Sequence, residues 1–216
     1  MLPLLLLLAQ TYLSEGEILE ARLDARVDEG RDVAVRLGYR IDAPHAERIA
    51  FSILEIDGVA LEEFAAFVSE TPLPVELGRR SGPKRAGAIG LPKGTSALEL
   101  RYVVRGGADR TNGSLRVRLP VAVLGLRIEE ARTGLFSSAV DLPDGLSVID
   151  GFPSHFVVGA DGKNRWELPL VPTFVAFRAT SETVLLTPPR VATTAVVLLL
   201  VAMGFVGLRG ARASRS

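Results

Sequence analysis

From Glu17 to Val27 the chain alternates without a break: Leu19, Ala21, Leu23, Ala25 and Val27 are apolar, with Glu20, Arg22, Asp24 and Arg26 between them. A period of two puts one set of side chains on a core face and the other in water, as in a half-buried β-strand. Asp28-Glu29-Gly30 supplies turn chemistry, and Val33, Val35, Leu37, Tyr39 and Ile41 resume the pattern. The two runs predict a β-hairpin. Ala43-Pro44 closes it, and Ile49, Phe51 and Ile53 begin a third strand.

The same rhythm returns at Leu98, Leu100, Tyr102 and Val104, and again at Leu115, Val117, Leu119, Val121 and Val123 with Arg116 and Arg118 between. Polar outer faces of this kind are expected of an antiparallel sheet. Leu142-Pro143-Asp144-Gly145 is a turn cluster before a short strand around Leu146 to Ile149. Phe156–Val158 and Arg165–Leu170 flank Gly159 to Asn164, which carries hairpin-loop chemistry, and Phe174 to Phe177 make a last strand.

Two stretches break the rhythm. In Val59 to Val68 the residues Leu61, Phe64, Ala65 and Val68 fall at helical spacing, which predicts a short helix crossing between sheets. Thr71 to Leu77 reads as an edge strand, because its prolines cannot serve a central ladder. Gly78 to Thr95 is rich in glycine and proline, holds Arg79, Arg80, Lys84, Arg85 and Lys93, and contains no acid. That composition predicts a long mobile loop. Many short strands with regular turns imply a mainly β domain over residues 17–187, an antiparallel β-sandwich of Ig-like layout.

The ends are different. Leu2 to Ala9 is too short an apolar run to span a bilayer but fits the apolar core of a signal peptide over residues 1–9, although no Lys or Arg precedes it. Val191 to Leu208 carries no charge, and as a helix it would be about 27 Å long, near the roughly 30 Å of a hydrocarbon core. Its Val, Leu and Phe residues favour insertion by about 0.3–0.6 kcal/mol each, roughly 3–6 kcal/mol together. Pro188-Pro189 stops any preceding strand, and Arg209, Arg212 and Arg215 follow with no acid. The positive flank predicts a single-pass transmembrane helix, a cytoplasmic tail over residues 209–216, and the β domain in a periplasm or on a cell surface. The layout, and only the layout, resembles that of many bacterial surface proteins.

Composition narrows the chemistry. All 25 acidic residues but only part of the 25 basic ones precede the apolar stretch, so the domain is slightly acidic and nucleic acid is not expected as a partner. There is no cysteine, which removes disulfides, thiolate metal sites and cysteine nucleophiles. The two histidines, His45 and His155, are too few and too far apart in sequence for a histidine metal site. Asp141, Asp144, Asp150 and Asp161 are explained by turns, since Lys163 stands where a calcium loop needs a ligand. No phosphate-cradling Gly-Lys-Ser/Thr occurs, so no cofactor is expected. Asn112-Gly113-Ser114 satisfies the glycosylation sequon.

Two functional readings remain. The cations Arg79, Arg80, Lys84, Arg85 and Lys93 offer contact to an acidic partner, such as another envelope protein, or to anionic lipid head groups. Ser154 and His155, with Asp150 or Asp161 orienting, offer a hydrolytic site, but neighbouring side chains on a strand point to opposite faces. Trp166 reads as a packed core residue. The preferred reading is a non-enzymatic, membrane-tethered binding or scaffolding domain; a membrane-anchored hydrolase is the alternative.

Overall fold

A computed structural model describes residues 15–28, 30–56, 58–111, 113–152, 157–158 and 164–181. All of them belong to one compact unit. In chain order the strands are β1 (Glu17–Val27), β2 (Val33–Asp42), β3 (Arg48–Leu54), β4 (Ala60–Val68), β5 (Thr71–Leu73), β6 (Val75–Ser81), β7 (Lys84–Gly90) and β8 (Ala97–Arg105). They continue as β9 (Ala108–Thr111), β10 (Ser114–Pro120), β11 (Val123–Leu124), β12 (Phe136–Asp141), β13 (Ser147–Phe152), β14 (Val157–Val158), β15 (Asn164–Leu168) and β16 (Phe174–Thr180). The protein is mainly β.

Three sheets form. The largest has eight strands in the order β14-β15-β12-β1-β2-β8-β4-β5; the others, of four strands each, run β13-β16-β10-β9 and β11-β3-β7-β6. Pairing is antiparallel except between β1 and β12, which run parallel with Ala21 opposite Phe136 and Ala25 opposite Val140. The β1–β2 hairpin falls where the alternation places it, with Leu23 opposite Leu37 and Ala25 opposite Val35. At its turn the Gly30 amide donates to Asp28 Oδ1 at 2.7 Å.

The inward residues of all three sheets join in one core. Leu23, Leu37, Leu100 and Val104 of the large sheet are fully buried, as are Ile49 and Ile89 of one small sheet and Val117, Leu119 and Val175 of the other. Burying one such side chain is worth about 1.5–3 kcal/mol. Trp166 is 1 % exposed and lies 5.3 Å from the Phe177 ring, a core position as its sequence context implies. The junction of the two small sheets is Pro120-Val121-Ala122, between β10 and β11. Tyr39 donates its hydroxyl to the Ala122 carbonyl and Tyr102 donates to the Pro120 carbonyl at 2.7 Å. Two phenols thus fasten the crossover to the large sheet.

One core group lacks a partner. Ser138 is 2 % exposed, stands between Leu23 and Trp166 in the register, and its Oγ makes no hydrogen bond among the described residues. A buried hydroxyl without a partner costs about 1–3 kcal/mol. Ser138→Ala is therefore expected to raise stability by about 1 kcal/mol. A urea midpoint that moves down instead would show that the hydroxyl is satisfied.

Three expectations need correction. Val59–Val68 is not a helix but strand β4. Glu62 faces Val103 and Ala65 faces Arg101, so Glu63 and Phe64 together oppose the single residue Tyr102 in a β-bulge. The extra residue shifts the inward set to Leu61, Phe64 and Ala66, so Leu61 and Phe64 stand three apart, a step a helix shares. Phe64 then stacks between Phe51 at 4.9 Å and Tyr102 at 5.5 Å. Second, most of Gly78–Thr95 is not a mobile loop but the hairpin β6–β7, turning at Gly82-Pro83. Gly87 is essential there, because a Cβ would lie 2.5 Å from the Phe51 ring and 2.7 Å from the Glu76 carbonyl. Third, Thr71–Leu77 is two strands: Pro74 separates β5, the edge of the large sheet, from β6, the edge of a small one. Strand β12, which no alternation announces, completes the large sheet.

Among the described residues no helix is long and apolar enough to cross a membrane. The apolar stretches at residues 1–9 and 191–208, and the tail over residues 209–216, lie outside the described residues, as do Asn112, Ser154, His155 and Asp161.

Candidate binding face

The eight-stranded sheet packs one face into the core and turns the other outward. Because strand side chains alternate, the polar partners of the pattern along β1, β2 and β8 arrive on this outer face. Cross-strand register then sets who meets whom. Glu20 stands opposite Arg40, Asp24 opposite Arg36, Arg36 opposite Arg101, and Phe67 opposite Glu99. Small residues, Ala34, Gly38, Ala97 and Ala139, occupy outward positions among them and leave the face hollow.

Two adjoining clefts result. One of about 620 Å³ crosses β12, β1, β2, β8 and β4, with Arg22, Arg26, Arg36 and Arg101 facing Asp24, Glu63 and Asp141. The other, of about 380 Å³, runs beside it toward the β4–β5 turn and includes Glu20, Arg40, Phe67 and Glu70. Arg22 and Arg101 line both.

Ion pairs organise the surface. Arg22 Nε is 3.0 Å from Asp24, Arg40 is 3.1 Å from Glu20, and Arg36 is 3.3 Å from Glu99. Arg101 holds both oxygens of Glu70 at 2.7 Å, also pairs with Glu99, and lies 4.3 Å over the Phe67 ring. The Arg101 hydrogen bond holds the Glu70 carboxyl below its usual range, while Glu70 first and Glu99 second raise the guanidinium. Arg105 reaches Glu62 at 2.7 Å and also pairs with Asp32, and those two bonds raise it in turn. Isolated surface pairs contribute about 0–1 kcal/mol, so this network orders side chains more than it holds the fold.

Backbone strain gathers on the same rim. Among the described residues the non-glycine residues with positive φ are Glu63 (53°), Ser69 (47°) and Glu70 (67°). Glu63 sits at the bulge in the larger cleft, and Ser69 and Glu70 make the tight β4–β5 turn beside the smaller one. Positive φ at both Ser69 and Glu70 is what a two-residue hairpin turn requires, whereas at Glu63 it is imposed by the bulge and costs about 1–3 kcal/mol.

The five cations read from the sequence lie elsewhere, four of them on the β6–β7 hairpin and Lys93 beyond it. Arg80 Nη2 donates to the Glu55 carbonyl at 3.1 Å and its Nε to the Gly82 carbonyl at 2.8 Å. Arg80 and Arg85 lie 3.6 and 3.1 Å from the Glu55 carboxylate, which is 2 % exposed. The Arg85 contact is too oblique to be a hydrogen bond and holds as an ion pair. Lys93 pairs with Glu47 at 3.4 Å, away from the hairpin tip. Arg79 and Lys84 are exposed on β6 and β7.

Of the hydrolytic set only Asp150 is described, and Arg178 engages it at 2.6 Å. His45 is exposed on a turn beside Glu17, Asp42 and Glu129, where the hydrogen bond that the Glu17 carboxyl donates to Glu129 raises it. No group of three or more His, Asp or Glu among the described residues is placed to hold a metal ion. Sequence reasoning did not single out the outer face as a candidate. Its signal was present as charge at alternate positions of β1, β2 and β8, but not as a cluster.

No family model and no curated protein matches the chain. Solved structures with partial likeness include native leukotriene A4 hydrolase from Saccharomyces cerevisiae, at 11 % identity and a TM-score of 0.46, over 76 % of this chain and 29 % of that one. The same enzyme in complex with bestatin gives 13 % identity and a TM-score of 0.47 over 83 % of this chain and 33 % of that one. An M1 zinc metallopeptidase from Deinococcus radiodurans gives 14 % identity and a TM-score of 0.42 over 76 % of this chain and 42 % of that one. The chain thus spans less than half the length of these proteins, and the likeness is at low identity.

Proposed function

We propose that this chain is a non-enzymatic binding module held at a membrane, with the outer face of its eight-stranded sheet as the contact surface. The observation that carries the reading is that hollow, strained and ion-paired face. The bulge at Glu63 places a non-glycine residue at positive φ inside the larger cleft. The tether is the uncharged run Val191–Leu208, and the arginines after it favour a cytoplasmic tail, with the β domain in a periplasm or on a cell surface.

Fractionation of cells producing the full chain tests this arrangement. The protein should stay with membranes through alkaline carbonate washing, and a variant lacking residues 191–208 should become soluble. Protease added outside the cytoplasmic membrane should reach the β domain. Release of the full chain by carbonate, or protection of the domain from that protease, overturns the tether or its orientation.

A further inference from the structure

We infer that the tip of the β6–β7 hairpin, through Arg79 and Lys84, rests on anionic lipid head groups of the membrane that holds the chain. The inference rests on the tether proposed above and adds a second contact beside the outer face of the large sheet.

Charge at the tip does not balance. Arg80 stands opposite Arg85 in the register, and both turn to the buried carboxylate of Glu55. Strand side chains alternate, so Arg79 and Lys84, each next in sequence to one of that pair, turn the other way. Both are exposed, and neither makes an ion pair or hydrogen bond among the described residues. Glu76, the acid within the hairpin, is engaged by Arg48. Against the four cations stand Glu55 and, two residues on in the sequence, Asp57, which leaves two positive charges in excess. The turn between the strands is Gly82-Pro83, so the tip projects charge with no large side chain to key into a shaped protein partner. Charge of that kind suits a surface of many phosphates.

The tip also lies at the end from which the chain leaves for the anchor. Strand β3 ends at Leu54, opposite Lys84, and the next residue, Glu55, holds the turn. Three residues on, the Gly58 carbonyl lies against Gly106, just past the end of β8. From there β9 leads to Thr111, opposite Ser114, and Ser114 stands opposite Thr180, the last residue of β16. The hairpin tip and the exit of β16 thus share one end of the domain, while Lys93 and its partner Glu47 are at the other, before β8 and β3. Residues 182–190 join the exit to the uncharged run, and nine residues reach at most about 30 Å. Head groups are therefore within reach of the tip, and the attraction takes hold inside a screening length of about 8 Å at physiological salt. Asp28, Asp141 and Asp144 gather instead with Arg26 and Arg110 around a cleft beside β1 and β12, which β2, β8 and β4 separate from the hairpin. Contact is thus confined to the hairpin side, and it stands the large sheet on end with its outer face open.

The full chain reconstituted into lipid vesicles tests this. Having no cysteine, it takes a single neutral fluorophore through Ser81→Cys, and a quencher on the head groups reports approach to the bilayer. Vesicles with about one third phosphatidylglycerol should quench the label more than pure phosphatidylcholine vesicles, and about 0.5 M salt should remove the difference. Arg79→Gln and Lys84→Gln should each lower the ratio of bound to free tip about fivefold. A label at Lys93→Cys should be quenched weakly by both kinds of vesicle, and inorganic phosphate at equal ionic strength should leave the Ser81→Cys signal unchanged. Equal quenching in the two kinds of vesicle overturns the inference, as does an unchanged signal in both glutamine variants or stronger quenching at Lys93→Cys than at Ser81→Cys. Displacement by soluble poly-glutamate or by inorganic phosphate overturns it too, in favour of an acidic protein or a free anion. Flotation with phosphatidylcholine vesicles reads the tether separately. A chain that floats without head-group preference keeps its anchor and loses only the hairpin contact; one that does not float loses both.

Discussion

Replacing Glu55 with alanine is expected to open the β6–β7 hairpin to trypsin, which cuts after arginine and lysine. In the native chain the hairpin carries Arg79, Arg80, Lys84 and Arg85, yet its turn is held from three directions. The Glu55 amide donates to the Pro83 carbonyl at 2.7 Å, Arg80 returns to the Glu55 carbonyl, and the Glu55 carboxylate lies between Arg80 and Arg85. The carboxylate is buried, whereas the guanidiniums are 40 % and 25 % exposed. Removing one partner of a fully buried ion pair costs about 3–5 kcal/mol; with guanidiniums that keep part of their water, about 2 kcal/mol is expected. That loss falls on an edge hairpin with few buried side chains, so it should appear as local opening rather than global unfolding. Limited proteolysis read by mass should show cleavage within residues 79–85 in Glu55→Ala and Glu55→Gln, and resistance in the native chain. Equal cleavage of both would restore the mobile loop that the composition suggests.

Glu55 also shows why part of the fold could be read from sequence and part could not. Where a strand buries one face alone, the pattern is local, and β1, β2, β8 and β10 lie where alternation puts them. The hairpin β6–β7 has almost no buried side chain besides Ile89, and its one acid, Glu76, pairs with Arg48 of β3 rather than with the hairpin's own cations. Its countercharge comes from Glu55, which nothing in the local composition connects to it. At β4 the pattern was legible but ambiguous, because one extra residue at Glu63 turns period two into a spacing that a helix shares. Strand β12 was silent for another reason. Phe136, Ser138 and Val140 point inward, while Ala139 between them is also buried, so no polar set marks an outer face. The outer-face cluster depends on register: Glu70 and Arg101 meet across 31 residues, and Arg105 and Asp32 across 73. Sequence placed those charges in water correctly and could not say which would be neighbours. Of the cationic run, which composition reads as a mobile loop offering contact to a partner or to lipid, Arg80 and Arg85 are engaged by Glu55.

Above about pH 10 the fold should lose stability steeply, and two phenols should account for the loss. Tyr39 and Tyr102 are both buried, and burial is the main cause that pushes each hydroxyl above its ordinary value. At Tyr39 the nearby Tyr102 adds to the shift, and at Tyr102 a backbone contact with Ala122 works slightly against it. Between the ordinary value near 10 and the raised ones, the unfolded chain releases protons that the folded chain keeps. Stability therefore falls as pH rises through this window, by about 1.4 kcal/mol per pH unit for each phenol. Their contribution is fully present below pH 10 and is lost progressively above it. Replacing both residues with phenylalanine removes this slope, at the expense of about 1–2 kcal/mol per site at neutral pH from the Ala122 and Pro120 carbonyls left without donors. Urea unfolding of the native and doubly substituted chains at neutral and alkaline pH separates the two effects. The native chain should show the smaller stability at high pH only by way of its slope, and the tyrosinate absorbance it has beyond that of the double variant, which keeps Tyr12, should appear together with unfolding. A double variant with the native pH slope would remove the phenols from the account, and with them the idea that these two hydrogen bonds tie the sheet crossover to the core.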